Sequence, residues 1–401
     1  MIKGWQTKKL GELLEVQNGY AFSSKDYSES GHFVMRIGNV QNGYISLSDP
    51  KFIQLPSDGA LQRFVLSEGD ILVSLTGNVG RIGVVKREHL PAAVNQRVAK
   101  ITVNKSSPAT REFLLFFLYS DRFREELMGA GHGAAQQNVS TKDLVQIQLP
   151  IPPLPEQRRI VGILDEAFVG ITTAKANAEK NLQNARALFD SHLQSVFTKR
   201  GPGWVEKRLD DLYKVGSSKR VLKSQWKTEG VPFYRGREIT RLATDGFVDN
   251  ELFISEKHFA ELSKEYGVPK AGDIVITAIG TIGNSHIVRA SDRFYFKDAS
   301  VLWMKRTAAV SSEFIKFWLK SSLFFDQLDR GNGATVDTLT IQKLQSVNLL
   351  LPSSEEQLKI VAKLDALREE TQRLESIYQR KLEALEELKK SLLNQAFSGE
   401  L

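Results

Sequence analysis

The chain has no cysteine in 401 residues, which removes disulfide staples, thiol nucleophiles and cysteine-held zinc from consideration. Histidine is nearly as scarce. The six stand at His32, His89, His132, His192, His258 and His286, with no ligand-like spacing. No apolar run approaches the ~20 residues of a membrane span, and the opening Met1-Ile2-Lys3-Gly4-Trp5 lacks the apolar core of a secretory signal. A cytoplasmic location is expected. No Gly-x-x-x-x-Gly-Lys-Ser/Thr cradle for a nucleotide phosphate occurs. The one Pro-Pro, in Ile151-Pro152-Pro153-Leu154, lacks the leading Asn or Asp and the trailing aromatic of an amino-methyltransferase motif. Acid-x-Lys pairs, one element of a metal-dependent nuclease core, occur only at Asp49-Pro50-Lys51 and Glu387-Leu388-Lys389. The first reads as a turn and the second as the charged face of a helix. The chain by itself is therefore expected to be non-catalytic, with no cofactor and no metal of its own.

What is present is 41% hydrophobic and 25% charged residues, the composition of a globular protein. The formal charge of +7 is unevenly placed. Residues 1–150 carry 17 basic and 14 acidic side chains, and residues 201–352 carry 22 and 18. The segments 151–200 and 353–401 cancel at +2 and −2. The excess thus falls on two large stretches, which suits a polyanionic partner without specifying one.

Those two stretches are copies of each other. At a shift near 200, Leu10-Gly11-Glu12-Leu13 meets Leu209-Asp210-Asp211-Leu212, each preceded by Gly-Trp. Gly69-Asp70-Ile71-Leu72 meets Gly272-Asp273-Ile274-Val275, and Gly77-Asn78-Val79-Gly80 meets Gly280-Thr281-Ile282-Gly283. Glu156-Gln157, Ile160-Val161 and Leu164-Asp165 meet Glu356-Gln357, Ile360-Val361 and Leu364-Asp365. A duplicated domain gives two similar, non-identical surfaces with pseudo-twofold symmetry. That suits recognition of something with two parts.

Each copy reads as a turn-rich α+β part followed by a long helix. Short β-type runs bounded by Gly, Asp and Asn stand at 70–75, 81–85, 273–277 and 300–304. A short helix is predicted over Arg111 to Leu127 and over Ser312 to Leu328, capped by Thr110 and by Ser311 or Ser312. Pro155 then suits a first helical turn, and Ser353 with Glu356 suits a capping box. The predicted domains are 1–150, a spacer helix 151–200, 201–352, and a spacer helix 353–401. A heptad seam in the second helix passes through Ile360, Leu364, Leu374, Leu385 and Leu388. In the first it passes through Ile160, Leu164, Ile171 and Leu188, with small Ala between. Pairing of the two helices as an antiparallel coiled coil is the favoured arrangement. Packing of each on its own domain, or a homodimer, is the alternative.

A duplicated unit of this length, with Trp-x-x-x-x-Leu openings, Gly-Asp-Ile-Leu/Val hairpins and a Leu-Pro-(x)-Glu-Gln helix start, resembles the specificity subunit of type I restriction-modification enzymes. A Gly-rich stretch at 129–133 leading to Gln137-Asn138-Val139-Ser140 adds to the likeness. The second copy departs from it, with Thr338-Leu339-Thr340 for Asn-Val-Ser and Ser353-Ser354-Glu355 for the proline cluster. The resemblance implies two target-recognition domains, each reading one half of a bipartite, asymmetric site in double-stranded DNA. The helices would fix the unread gap and dock two modification subunits carrying S-adenosylmethionine and adenine methylation. Restriction subunits, where present, would carry the ATP- and Mg-dependent translocation and cleavage. A nuclease or methyltransferase with an unrecognised site is the alternative from another class, and an RNA-binding or scaffolding coiled coil is a third.

Base edges in the major groove are read by planar bidentate groups, Arg on guanine and Asn or Gln on adenine. In copy one the candidates are Arg36, Asn39, Asn78, Arg81, Asn95, Gln96, Arg97, His132, Gln136, Gln137 and Asn138. In copy two they are Arg235, Arg237, Thr281, Asn284, Lys297, Asp298, Asn332 and Thr335. Lys219 and Arg220, with Lys223 and Lys227 about Trp226, are candidates for backbone phosphates. Asn78 serves equally as a turn residue, and the aligned Arg36 and Arg235 equally as structural ion-pair partners.

Overall fold

A computed structural model of the chain describes residues 4–130, 139–199, 201–328 and 338–401. They form two compact units, Met1–Glu179 with Arg380–Leu401, and Lys180–Gln379. Each unit is therefore completed by a piece of the other copy's long helix.

The first unit is built on an antiparallel sheet in the order Leu14–Asn18, Val98–Val103, Ile71–Ser74, Ile82–Val84. A second sheet runs Tyr27–Ser28, Phe52–Ile53, His32–Met35, Ala92–Val94, its last pair parallel. A ribbon of Gln6–Lys9 against Gln148–Ile151 closes the domain where its chain enters and leaves. Ile71–Ser74 is buried along its whole length, so it reads as an unbroken apolar run rather than an alternation. The second unit repeats this plan. Its main sheet runs Tyr213–Gly216, Val301–Arg306, Ile274–Thr277, Ser285–Ile287, and its ribbon pairs Val205–Arg208 with Asn348–Leu351. It differs in two inserted helices, Gly236–Thr244 and Glu256–Tyr266.

The expected single helix after each main sheet is two. Arg111–Tyr119 and Asp121–Gly129 are separated by Ser120, whose ψ of 153° breaks the helix. The Ser120 hydroxyl accepts from Phe123 N at 3.2 Å and so caps the second piece. Ser312–Trp318 and Ser322–Leu328 repeat the break. The predicted caps hold, with Thr110 accepting from Phe113 N and Ser311 from Phe314 N, both at 3.2 Å.

The two long helices are Leu154–Thr198 and Ser354–Ser398, each unbroken over 45 residues or about 67 Å. They pair antiparallel. In the first unit Lys175 Nζ meets Glu386 Oε1 at 2.5 Å, and in the second Arg186 Nε meets Glu375 Oε2 at 3.1 Å. Within the first unit Arg159 Nη2 also meets Leu401 O at 2.5 Å, so advancing along one helix from 159 to 175 retreats along the other from 401 to 386. These exposed pairs set register and add little stability. Stability comes from the ends. Phe397 is 1% exposed and its ring sits 5.2 Å from Phe113 and 5.3 Å from Phe117. Phe197 repeats this in the second unit, 5.3 Å from Phe314.

Ile160, Leu164, Ile171 and Leu364 are buried as the seam requires, and Ile360, Leu374 and Leu385 are half-buried. Leu188 and Leu388 are corrections, being 50% and 47% exposed. A strict heptad frame lags a nearly straight helix by about 20° per heptad, so by the fourth heptad the inward position has moved on one residue. Leu182, Ala185, Leu193 and Phe197 are the buried residues there.

Candidate nucleic-acid interface

The loops between sheet strands carry most of the predicted contact residues, and one equivalent loop in each unit is held by a buried polar side chain. In the first unit Ser74, fully buried, donates to Asn78 O and accepts from Arg81 N at 2.9 Å. Gly77 and Gly80 take φ of 69° and 79°, so only glycine turns this loop without strain. In the second unit Thr277 takes the part of Ser74. It donates to Thr281 O and accepts from Asn284 N at 3.1 Å. Asn78 is exposed at the first loop's tip, and Thr281 at the second's.

Arg81 Nη1 donates to Gln41 Oε1 at 2.7 Å, which ties this loop to the neighbouring one. The turn Asn95-Gln96-Arg97 leads from Ala92–Val94 into Val98–Val103, with Gln96 and Arg97 exposed. It seats against Gly19, where a Cβ would lie 2.1 Å from Asn95 O. Arg36 Nη2 pairs with Asp49 Oδ2 at 2.9 Å, and Lys51 Nζ reaches Asp49 Oδ1 at 3.4 Å. Asp49-Pro50-Lys51, expected as a turn, is a bend at Asp49, whose φ is 50°, leading into Phe52–Ile53.

Asn39 is withdrawn from the candidate set. It is 2% exposed, its amide donates to Ser46 O and Ser48 O at 3.0 Å, and its Oδ1 accepts from Arg36 N at 3.0 Å. Its whole hydrogen-bonding edge is spent clasping a loop.

In the second unit Arg235 forms a fork on Glu238, Nε to Oε2 at 3.1 Å and Nη2 to Oε1 at 2.8 Å. Arg237 bridges Glu238 at 3.0 Å and Glu251 at 2.7 Å. Burial of Glu238 would raise its pKa, but bonds from Arg235 and Arg237 outweigh it and hold the carboxyl at about 2. Both Arg36 and Arg235 are thus ion-paired, the structural option open for that aligned position. Arg220 Nε meets Asp298 Oδ2 at 2.9 Å. Asn284 Nδ2 reaches Thr240 Oγ1 at 3.3 Å, and Thr240 meets Thr281 at 2.9 Å. Lys219, Lys223, Lys227 and Lys297 are exposed. His132, Gln136, Gln137, Asn138, Asn332 and Thr335 lie outside the described residues. Among those described, no group of three or more His, Cys, Asp or Glu could hold a metal ion. No described helix is long and apolar enough to cross a membrane.

One role was not foreseen. Gln157, at 0% exposure, accepts from Thr110 N at 2.8 Å and donates to Pro108 O and Pro152 O at 2.8 and 2.9 Å. Gln357 accepts from Ser311 N and donates to Pro352 O, both at 2.9 Å. The Gln of the repeated Glu-Gln is a buried clasp between helix start and domain. Its recurrence at the same repeat position was the available signal.

Two units of one plan, each with polar loop tips on a rigid sheet, define a tandem recognition protein. The chain belongs to the family described as type I restriction modification DNA specificity domain, whose profile matches residues 2–182 and again 202–385. It is 25% identical to the type I restriction enzyme EcoBI specificity subunit of Escherichia coli, over 99% of this chain and 86% of that one. It is 22% identical to the EcoKI specificity subunit of Escherichia coli strain K12, over 100% and 89%. Its fold is that of the HsdS subunit from Thermoanaerobacter tengcongensis, with a TM-score of 0.60 at 20% identity, covering 100% of this chain and 98% of that one. A chain from a structural study of type I R-M system assembly and conformational transition gives 0.77 at 21% identity, over 100% and 99%.

Proposed function

We propose that this chain is the non-catalytic specificity subunit of a type I restriction-modification complex, each unit reading one half of a bipartite, asymmetric site in double-stranded DNA. The observation that carries the reading is the pairing of equal scaffolds with unequal tips. Ser74 and Thr277 hold the same loop, yet it presents Asn78 in one unit and Thr281 in the other. Likewise Gln96 and Arg97 stand where the second copy has Ala299 and Ser300. Two half-sites of different sequence call for this.

Within each unit the work divides between reading and gripping. Asn78, Gln96 and Arg97, all exposed, have their planar groups available for base edges. Lys219, Arg220, Lys223, Lys227 and Lys297 suit phosphate, which positions the duplex without choosing sequence. The paired Arg36, Arg235 and Arg237 hold loop shape. The 45-residue helices would set the gap between half-sites and dock two modification subunits, joined by restriction subunits in a full system. Adenine methylation from S-adenosylmethionine, and any ATP- and Mg-dependent cleavage, would belong to those partners. The complex would work in the cytoplasm, beside the DNA it reads.

Exchange of residues 1–150 for the matching domain of another such chain tests the reading. Sites selected from random DNA by the complex with modification subunits should change in one half only. Loss or alteration of both halves would refute independent reading.

A further inference from the structure

The most exposed aromatic side chain among the described residues of each unit falls at the same repeat position. Tyr44 is 60% exposed in the first unit and Phe247 is 71% exposed in the second. Gly43-Tyr44-Ile45 aligns with Gly246-Phe247-Val248 at the shift that carries Gly69-Asp70-Ile71 onto Gly272-Asp273-Ile274. Both glycines take positive φ, 92° and 78°, so both rings follow a turn that glycine makes possible. Exposed aromatics lose hydrophobic burial, and two at one repeat position ask for a common occupant.

The ring of Tyr44 is not on a slack loop. Gln41 N donates to Tyr44 O at 3.0 Å and Gly43 N to Ile82 O at 2.9 Å, which fixes a tight turn against the edge strand Ile82–Val84. Arg81 holds Gln41, and Arg124 Nη2 reaches Asn42 Oδ1 at 3.2 Å. In the second unit Phe247 follows the helix Gly236–Thr244. That helix is fastened to the loop of Thr281 and Asn284 through Thr240. Asp245 N donates to Arg241 O at 2.7 Å and closes its end. Tyr44 is thus held beside the loop assigned above to reading, with arginine and amide groups bonded about its turn, and Phe247 follows a helix fastened to the corresponding loop, between Asp245 and Asp249 in sequence.

We infer that Tyr44 and Phe247 are a matched pair of aromatic wedges, each stacking on a base or entering a base step of the half-site its own unit reads. The inference rests on the proposed reading of one half-site per unit. A planar ring beside cationic and amide groups, as at Tyr44, fits a nucleobase: the ring covers the base face and its neighbours meet edges and phosphates, while Phe247 offers an exposed ring at the same repeat position. Every base offers such a face, so stacking is tolerant of sequence. It would position and deform the half-site while the neighbouring loops choose its bases.

The test uses the full chain in complex with modification subunits and a duplex of the site that complex selects. 2-Aminopurine replaces, one at a time, bases other than the methylated adenine in each half. The wild-type complex should alter fluorescence at one step or more in each half. Tyr44→Ala should abolish the change in one half only and Phe247→Ala in the other. Each should weaken specific binding about tenfold to a hundredfold, while Tyr44→Phe and Phe247→Tyr should keep the signal. If the wild type selects a bipartite site but both alanine variants leave fluorescence and affinity unchanged, the wedge assignment is wrong and half-site reading stands. If the wild type selects no bipartite site, the underlying reading fails first. If Tyr44→Ala reduces recovery of the assembled complex while complex that does form binds DNA normally, the ring docks protein and the inference is overturned.

Discussion

Phe397→Ala puts the cross-copy construction of the units under direct strain. The side chain ends the second long helix, is 1% exposed, and packs edge-on against Phe113 and Phe117 of the first unit. Truncating a buried phenylalanine costs about 3–5 kcal/mol in transfer and cavity terms, against about 5–15 kcal/mol of total stability for a domain. The packing that holds Arg111–Tyr119 and Asp121–Gly129 should therefore open far more often. At about 1.4 kcal/mol per decade, the core amides of 111–127 should lose roughly two to three and a half powers of ten in hydrogen-exchange protection. Peptides over 312–328 serve as the internal control, because their aromatic partner is Phe197. Exchange measured by mass spectrometry on the full chain separates the outcomes. Unchanged protection at 111–127, or equal loosening at 312–328, would refute the claim that each helix end completes the other copy's core.

Gln157→Leu keeps the volume but strands Thr110 N, Pro108 O and Pro152 O in a buried site. The expected cost is about 3 kcal/mol, read as a lower urea midpoint. Gln357→Leu, which loses two bonds, should cost less, and an equal or reversed order would contradict the clasp. Glu238 has its folded pKa held at about 2, below the ordinary carboxylate value, so its contribution is present above about pH 4.5. It should be lost as pH falls from there towards 2. The advantage of wild type over Glu238→Gln, about 3 kcal/mol near neutrality, should shrink over that window in chemical denaturation, and an advantage that grew with acid would have the wrong sign.

Much of the fold was legible because duplication supplies its own control. The Gly-Asp-Ile hairpins, the caps at Thr110 and Ser311, and two helices of 45 residues all follow local rules that recur at a fixed shift. What escaped was non-local. Ser120 reads as an ordinary helical residue until its hydroxyl is seen capping Phe123 N. Leu188 fits a heptad on paper, but small angular errors accumulate over four heptads and the seam passes to Leu182 and Leu193. The candidate site was legible as a set of loops and less so residue by residue. Asn39 has the right chemistry for a base edge and spends it on Ser46 and Ser48. Tyr44 has no bidentate group, so a search for planar bidentate side chains passes over it.

The ruler role of the paired helices is open to the most direct measurement. Four residues, about one turn, inserted near Ala176 lengthen the first long helix without touching a loop tip. Binding sites are then selected from random DNA by the complex with modification subunits. The same two half-site sequences with an altered gap are the predicted result. Altered half-site bases across an unchanged gap would contradict it.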